Sequence, residues 1–303
     1  DPYVGNALDH DANIMPWVKL GEDSKAVVKW ADVDLETCTL DMEHLESLIT
    51  PQTKMVAVGY ASNASGTIND VKAVVELAKA NGAYTFIDAV QYAPHGSIDV
   101  KELGCDFLAC SAYKFFGPHI GIMYGTRELL DSLQPYKLRP APDDLPGRWM
   151  TGTQSHEGIA GTLAAIDYLA EIGGDQSGAK MTRREALTAA FARIREYEQG
   201  LIVYLLDRMD ELSGFRVWGI TDRSRMAQRL PTISITHEEH RPTEIAKSLA
   251  DTGIFVWHGN YYALPLTEAL GVEPEGMVRI GLCHYNTREE IDRLIETLAA
   301  MEA

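Results

Sequence analysis

Lys114 stands between two apolar runs, residues 107–110 (FLAC) and 120–125 (IGIMYG), beside Phe115, Phe116 and a Gly117-Pro118 turn. Burying an ammonium group is costly. A lysine in this setting therefore either sits at a rim and pairs with an acid, or is kept for its amine. Asp88 offers a candidate partner. It follows Thr85-Phe86-Ile87, so it is expected to be a half-buried acid that needs a cation or hydrogen-bond donors to stay ionised. Lys114 could supply that charge from a neighbouring strand end, and so could a protonated ring nitrogen on a bound cofactor. Gln91 follows Asp88 by three positions, Ser62 and Asn63 close another apolar run, and Ser111 and Tyr113 flank the lysine. On spacing alone, both a structural ion pair and a ligand site remain open.

The elements that must position these groups alternate in kind. Residues 54–60, 83–90, 106–112 and 120–125 are short apolar runs of strand character. Residues 70–82 have apolar positions at helical spacing, an acidic start and an Asn-Gly stop, and 126–133 also read as helix. Strand–helix alternation with short connections predicts a mainly parallel sheet covered by helices. Ligands of such sheets bind outside the carboxyl ends of the strands, which is where Asn63, Asp88 and Lys114 fall. Residues 132–155, rich in Pro, Gly and charge, predict a long loop, and helices are expected over 157–172 and about 182–212. From Phe215 the pattern reads strand, strand (230–237), helix (241–253), strand (254–259), strand (277–285) and a final helix (287–301), a smaller α+β unit. There is no internal repeat and no low-complexity segment.

Composition narrows the function classes. The 303 residues are 46% hydrophobic and 23% charged, enough for a sizeable core in one large or two medium domains. The net charge of −17 (27 − 44) argues against nucleic acid or an anionic membrane as partner. Cys38, Cys105, Cys110 and Cys283 are dispersed, without C-x-x-C spacing. They read as reduced thiols of a cytoplasmic protein, with no zinc or other metal site. No run is long enough to span a bilayer.

The stretch FIDAVQYAPHGSIDVKELGCDFLACSAYKFFGPHIGIMYG resembles the cofactor-holding segment of class V aminotransferases, the cysteine desulfurase and selenocysteine lyase group. That pattern is D-x-x-Q after one strand and S-x-H-K-x-x-G-P after the next. The likeness extends from LDHDANIMPW to VRIGLCHYNTREEIDRL. It implies an α/β fold of the pyridoxal-phosphate transferase (aspartate aminotransferase-like) type. Residues 1–200 would be a three-layer large domain with a mainly parallel sheet, and 201–303 a smaller C-terminal α+β domain. It implies pyridoxal 5′-phosphate as cofactor, bound as an internal aldimine to Lys114, which would also shuttle the α-proton. Asp88 would pair with the pyridine nitrogen, Gln91 with the phenolic oxygen, and His10 would stack on the ring. Asn63 would contact cofactor and substrate carboxylate, and Arg279 would clamp that carboxylate. Ser111 would bind phosphate. Thr153 would reach the phosphate of a partner subunit, implying a homodimer with shared sites. The implied activity is C–S bond cleavage on a small amino acid, as a desulfurase or a lyase, for which β-elimination needs only Lys114 as base. Aminotransferase, racemase or epimerase activity, or a truncated non-catalytic homologue, are the alternatives.

Three departures qualify this picture. Tyr113 replaces the histidine before the lysine, although its hydroxyl can still donate to phosphate. Tyr262 occupies the place of the persulfide-forming cysteine in Gly259-Asn260-Tyr261-Tyr262-Ala263-Leu264-Pro265. There, with Tyr261 and His258, it would line the side-chain end of the pocket. Strand alternation would set Cys283 on the face of Arg279 as a substitute thiol, unless it is simply buried. Finally, only nine residues precede His10, and the family's phosphate-binding loop lies upstream of that motif. The expectation is a large domain short of its N-terminal portion.

Overall fold

A computed structural model describes residues 3–150, 152–174 and 181–301. The first half of the chain runs β1 (Tyr3–Asn6), α1 (Met15–Ser24), β2 (Val28–Ala31), β3 (Val33–Asp34), β4 (Thr39–Leu40), α2 (Met42–Leu48), β5 (Met55–Gly59), α3 (Val71–Ala80), β6 (Tyr84–Asp88), α4 (Val100–Leu103), β7 (Phe107–Ser111), β8 (Gly121–Gly125) and α5 (Arg127–Ser132). Strands β2-β1-β5-β6-β7-β8 form one sheet in that order. Every pairing is parallel except β7–β8. The run at 120–125, expected as a strand of a mainly parallel sheet, turns back as its antiparallel edge. The connection from Ser111 to Gly121 is too short for a parallel crossover, which needs a dozen or more residues.

Local chemistry explains the elements around the site. Central β5 is buried at four of its five residues, as expected for a strand covered on both faces. Helix α3 buries Val71, Val74, Val75 and Ala78 along one stripe. The Asp70 carboxylate caps it by accepting from the Ala73 N–H at 3.0 Å, and the chain leaves it through Gly82 at φ 74°.

The second half comprises α6 (His156–Gly173), α7 (Arg183–Met209), β9 (Phe215–Trp218), β10 (Thr232–His237), α8 (Pro242–Asp251), β11 (Trp257–Gly259), α9 (Leu264–Ala269), β12 (Met277–Gly281) and α10 (Arg288–Ala299). Strands β11-β12-β10-β9 form a second sheet, antiparallel throughout. The strand expected over 254–259 is only β11, because Phe255 points to solvent and is 87% exposed. Ile194, with Leu187 and Phe191, in the first half of α7, packs beside the first sheet with Phe115 and Leu169. Leu201, Ile202, Leu205 and Leu206, in its second half, pack on the second sheet with Ile233 and Val278. We propose the domain division at 200/201 on this change of core along one continuous helix. No described helix is long and apolar enough to cross a membrane.

Candidate active site

Three adjacent parallel strands end at one level. Gly59 of β5 is in register with Asp88 of β6, and Asp88 with Ala109 of β7. Just beyond these ends a cavity of about 720 Å³ is lined by His10, Gly59, Asn63, Asp88, Gln91, Ser111, Tyr113, Lys114, His119, Trp257, Tyr261, Tyr262 and Arg279, among others. The structure thus brings together His10, Asn63, Asp88, Gln91, Ser111, Tyr113, Lys114, Tyr261, Tyr262 and Arg279, whereas exposed His258 on β11 does not line the cavity and neither does Thr153. That residue is exposed on the 132–155 loop and lines a separate cavity of about 960 Å³ with Tyr136, Leu138 and Met150.

Lys114 rides a 3-10 turn, residues Ala112–Phe115, that begins where β7 stops. The turn closes through Phe116 at φ 72° and a Gly117 N–H donated to the Ala112 carbonyl at 2.8 Å. A side chain at Gly117 would press on Ala112 at 3.0–3.1 Å, so the Gly-Pro pair is a packing requirement of the lysine's turn. Burial, aided by Arg279, holds the Lys114 amine below its ordinary lysine range. Asp88 is displaced the other way. Burial raises it, against a hydrogen bond from the Val90 N–H at 2.9 Å. Among the described residues Asp88 and Lys114 form no contact ion pair. The structural pairing weighed from the sequence is not made.

The remaining walls are built as carefully. His10 accepts the Ala12 N–H on Nδ1 at 3.0 Å, which leaves its ring proton on Nε2. Burial holds this imidazole below its ordinary range, and its ring lies 5.4 Å from that of Tyr262. Asn63 is 7% exposed. Its Nδ2 donates to the Tyr261 carbonyl at 2.8 Å, while its buried Oδ1 has no protein partner. Gln91 Nε2 reaches Thr232 Oγ1 at 3.3 Å. Arg279 donates once to the Asn63 carbonyl at 3.0 Å and lies 4.8 Å from the Tyr261 ring centre. Burial lowers its proton affinity. Tyr113 stacks on His119 at 5.0 Å, with the Lys114 Nζ 5.3 Å from its ring centre.

Two features went unread in the sequence. Trp257 and His119 join the cavity wall only because β11 and the turn after Lys114 fold onto it. Asp9 is the more consequential. It is 3% exposed, and both of its oxygens accept the Gly59 N–H at 2.9 Å. It also accepts from Asn13 Nδ2 at 2.8 Å. A side chain at Gly59 would meet its carboxylate at 2.7 Å. Asp9 thereby ties the His10 loop to the end of β5, and burial pushes it up to about 7 with Asp88 nearby. Its sequence signal was the recurrence of polar residues at 6, 9 and 13.

The expectation for Cys283 needs correction. Strand β12 ends at Gly281, so alternation no longer applies at 283. The thiol lies near Glu198 and Tyr285, and burial pushes it up to about 11. It does not line the cavity.

The donor set fits pyridoxal phosphate. An amine held toward its neutral form, a buried carboxyl without a cation, an unpartnered buried amide oxygen and a cavity between them suit a cationic aromatic ring with a reactive carbonyl. Comparison with known proteins gives the same answer. The family model described as "Aminotransferase class-V" matches residues 1–294. A probable cysteine desulfurase of Halalkalibacterium halodurans is 33% identical over 98% of this chain and 70% of its own length. An aminotransferase-like protein of Gibberella zeae is 34% identical over 98% of the chain and 72% of its own. The apo structure of a cysteine desulfurase from Thermococcus onnurineus superposes with a TM-score of 0.87 at 27% identity, over 99% of this chain and 72% of that one.

Proposed function

This chain belongs to the class-V aminotransferase family of pyridoxal-phosphate enzymes, and from that premise we propose that it cleaves the C–S bond of a small amino acid. The observation that carries the proposal is the convergence of Lys114, Asp88, Asn63, Gln91, His10 and Arg279 on one cavity. When bound, pyridoxal phosphate supplies the electron sink that makes a proton at Cα removable. Lys114 is the amine that holds it covalently and the base that moves the Cα proton, and its depressed proton affinity suits both tasks. Asp88 needs a cationic partner to stay ionised, and it would hold the cofactor's ring nitrogen in that role. His10 would cover a ring face, Gln91 would bond the ring oxygen, and Ser111 and Tyr113 would donate to the phosphate. Arg279 uses one N–H on Asn63, which leaves the rest of its fork for the substrate carboxylate. Asn63 sits between the two with its free Oδ1.

The same reading includes a homodimer, with exposed Thr153 reaching the phosphate of a second copy, and a cytoplasmic location. The test is spectroscopic and chemical. Added pyridoxal phosphate should give a visible absorbance band that Lys114→Ala lacks, and the loaded protein should release sulfur from cysteine or cystine. A band without sulfur release from any sulfur amino acid would overturn the C–S reading while leaving the cofactor site intact.

A further inference from the structure

The turn at 260–263 brings two tyrosines in succession into the left-handed region, Tyr261 at φ 54° and Tyr262 at φ 60°. Non-glycine residues held there are strained and persist only where the surroundings over-determine them. Here they do. The Tyr261 carbonyl accepts from Asn63 Nδ2 at 2.8 Å, and the Tyr262 carbonyl accepts the Asp11 N–H at 2.7 Å. The Tyr262 N–H donates to Asn260 Oδ1 at 3.1 Å. Both rings line the cavity, but Tyr261 is buried against Arg279, while Tyr262 is 69% exposed and lies beside His10. A strained turn stitched to both the His10 loop and Asn63 fixes one phenol on the cavity wall beside His10.

The thiols are placed as tellingly. All four cysteines lie among the described residues and none lines the cavity. Cys38 and Cys105 are 0% and 1% exposed. Cys110 packs with Phe115 and Leu169, and Cys283 lies by Glu198. Passing sulfur to the protein as a persulfide requires a thiolate within reach of the substrate sulfur, and the walls of this site provide a phenol instead.

We propose that Tyr262 is the proton donor to the departing sulfur, and that this site releases sulfur to solvent as sulfide or a free thiol by β-elimination. The proposal rests on the reading of the site as a C–S cleaving centre and specifies its product. Lys114 takes the Cα proton, the Cβ–S bond breaks with both electrons on sulfur, and the Tyr262 hydroxyl protonates that sulfur. The double bond left between Cα and Cβ ends, with one water, as pyruvate and ammonia. The proton on Lys114 returns to Tyr262 through solvent. No oxidant or reductant is required, because R–S–CH2–CH(NH3+)–COO− and water become R–SH, pyruvate and ammonium.

The experiment uses the cofactor-loaded full chain with cysteine, an S-alkyl cysteine and β-chloroalanine. Wild type should give pyruvate in equal amounts with sulfide from cysteine, thiol from the S-alkyl cysteine and chloride from β-chloroalanine, with no alanine and no sulfane sulfur on the protein. Tyr262→Phe should keep the visible band and the KM while kcat falls on the order of a hundredfold with the S-alkyl substrate, within the usual range for a general acid. The deficit should shrink with cysteine and be smallest with β-chloroalanine, whose chloride needs no proton. Alanine with protein-bound sulfane sulfur would overturn the proposal but keep C–S cleavage. An equal deficit with all three leaving groups would remove Tyr262 from the proton transfer. Failure to cleave any sulfur substrate, with the Lys114-dependent band present, would overturn the C–S reading and the proposal with it.

Discussion

Two clusters of buried ionisable groups lie in this molecule, and they differ in whether their charges are already answered. His95 Nδ1 and Glu198 Oε2 meet at 2.8 Å with side chains 5% and 2% exposed, and neither lines either of the two cavities described above. Lys114 and Asp88 are less deeply buried, yet they leave each other unpaired across a cavity of about 720 Å³. Both clusters incur desolvation, which raises Glu198 as it raises Asp88. The difference teaches that burial alone does not mark a site. A buried charge closed on its partner holds the fold together, and one left open toward a cavity waits for a ligand.

The largest effects should fall on opposite readouts. Lys114→Ala should abolish the visible cofactor band and lower turnover by at least about a hundredfold, while its midpoint of urea unfolding without cofactor stays near wild type. Glu198→Ala strands His95 in the interior and should cost about 3–5 kcal/mol of stability, read by the same urea titration, with the band retained. If the two variants exchanged phenotypes, the distinction between closed and open pairs would fail.

Asp9 tests the border between the two kinds. Its carboxyl is pushed up to about 7 in the folded protein from an ordinary value of 3.8. A raised acid binds more protons folded than unfolded, so stability is full below about 4 and declines as pH rises toward 7. Asp9→Asn, which removes the titration, should flatten that decline. Urea midpoints at pH 5 and pH 8 should converge in the variant and diverge in wild type. An unchanged difference would show that Asp9 does not titrate in this range.

Much of this was legible because parallel sheets gather ligands at strand ends, so Asn63, Asp88 and Lys114 could be placed together from three apolar runs. The antiparallel turn of β8 was not, since an edge strand and a central one can share the same apolar pattern. Cys283 was misplaced because period-2 alternation gives no sign of where a strand stops. Asp9 and the Tyr261-Tyr262 turn were missed for a different reason. Their roles come from partners 50 and 198 residues away in the chain, the Gly59 N–H and the Asn63 side-chain amide, and no local pattern encodes a contact of that range.

The smallest predicted effect separates two arginines, Arg279 in β12 and Arg229 just before β10. Arg229 is 1% exposed, and its guanidinium is consumed by the carbonyls of Ile220, Ser65 and Thr232. Arg279 makes a single such bond, to Asn63, and turns the rest of its fork to the cavity. A lysine at 279 would keep the charge but lose the planar fork and the stacking on Tyr261. Hydrogen bonds to charged groups are worth about 1.5–3 kcal/mol, so Arg279→Lys should raise KM roughly ten- to a hundredfold. Unfolding and the cofactor band should hardly move. Arg229→Lys should do the reverse, lowering the urea midpoint because carbonyls built around a fork lose their donors. A drop in stability at 279 equal to that at 229 would mean that both guanidinium groups hold the fold, and that the carboxylate clamp lies elsewhere.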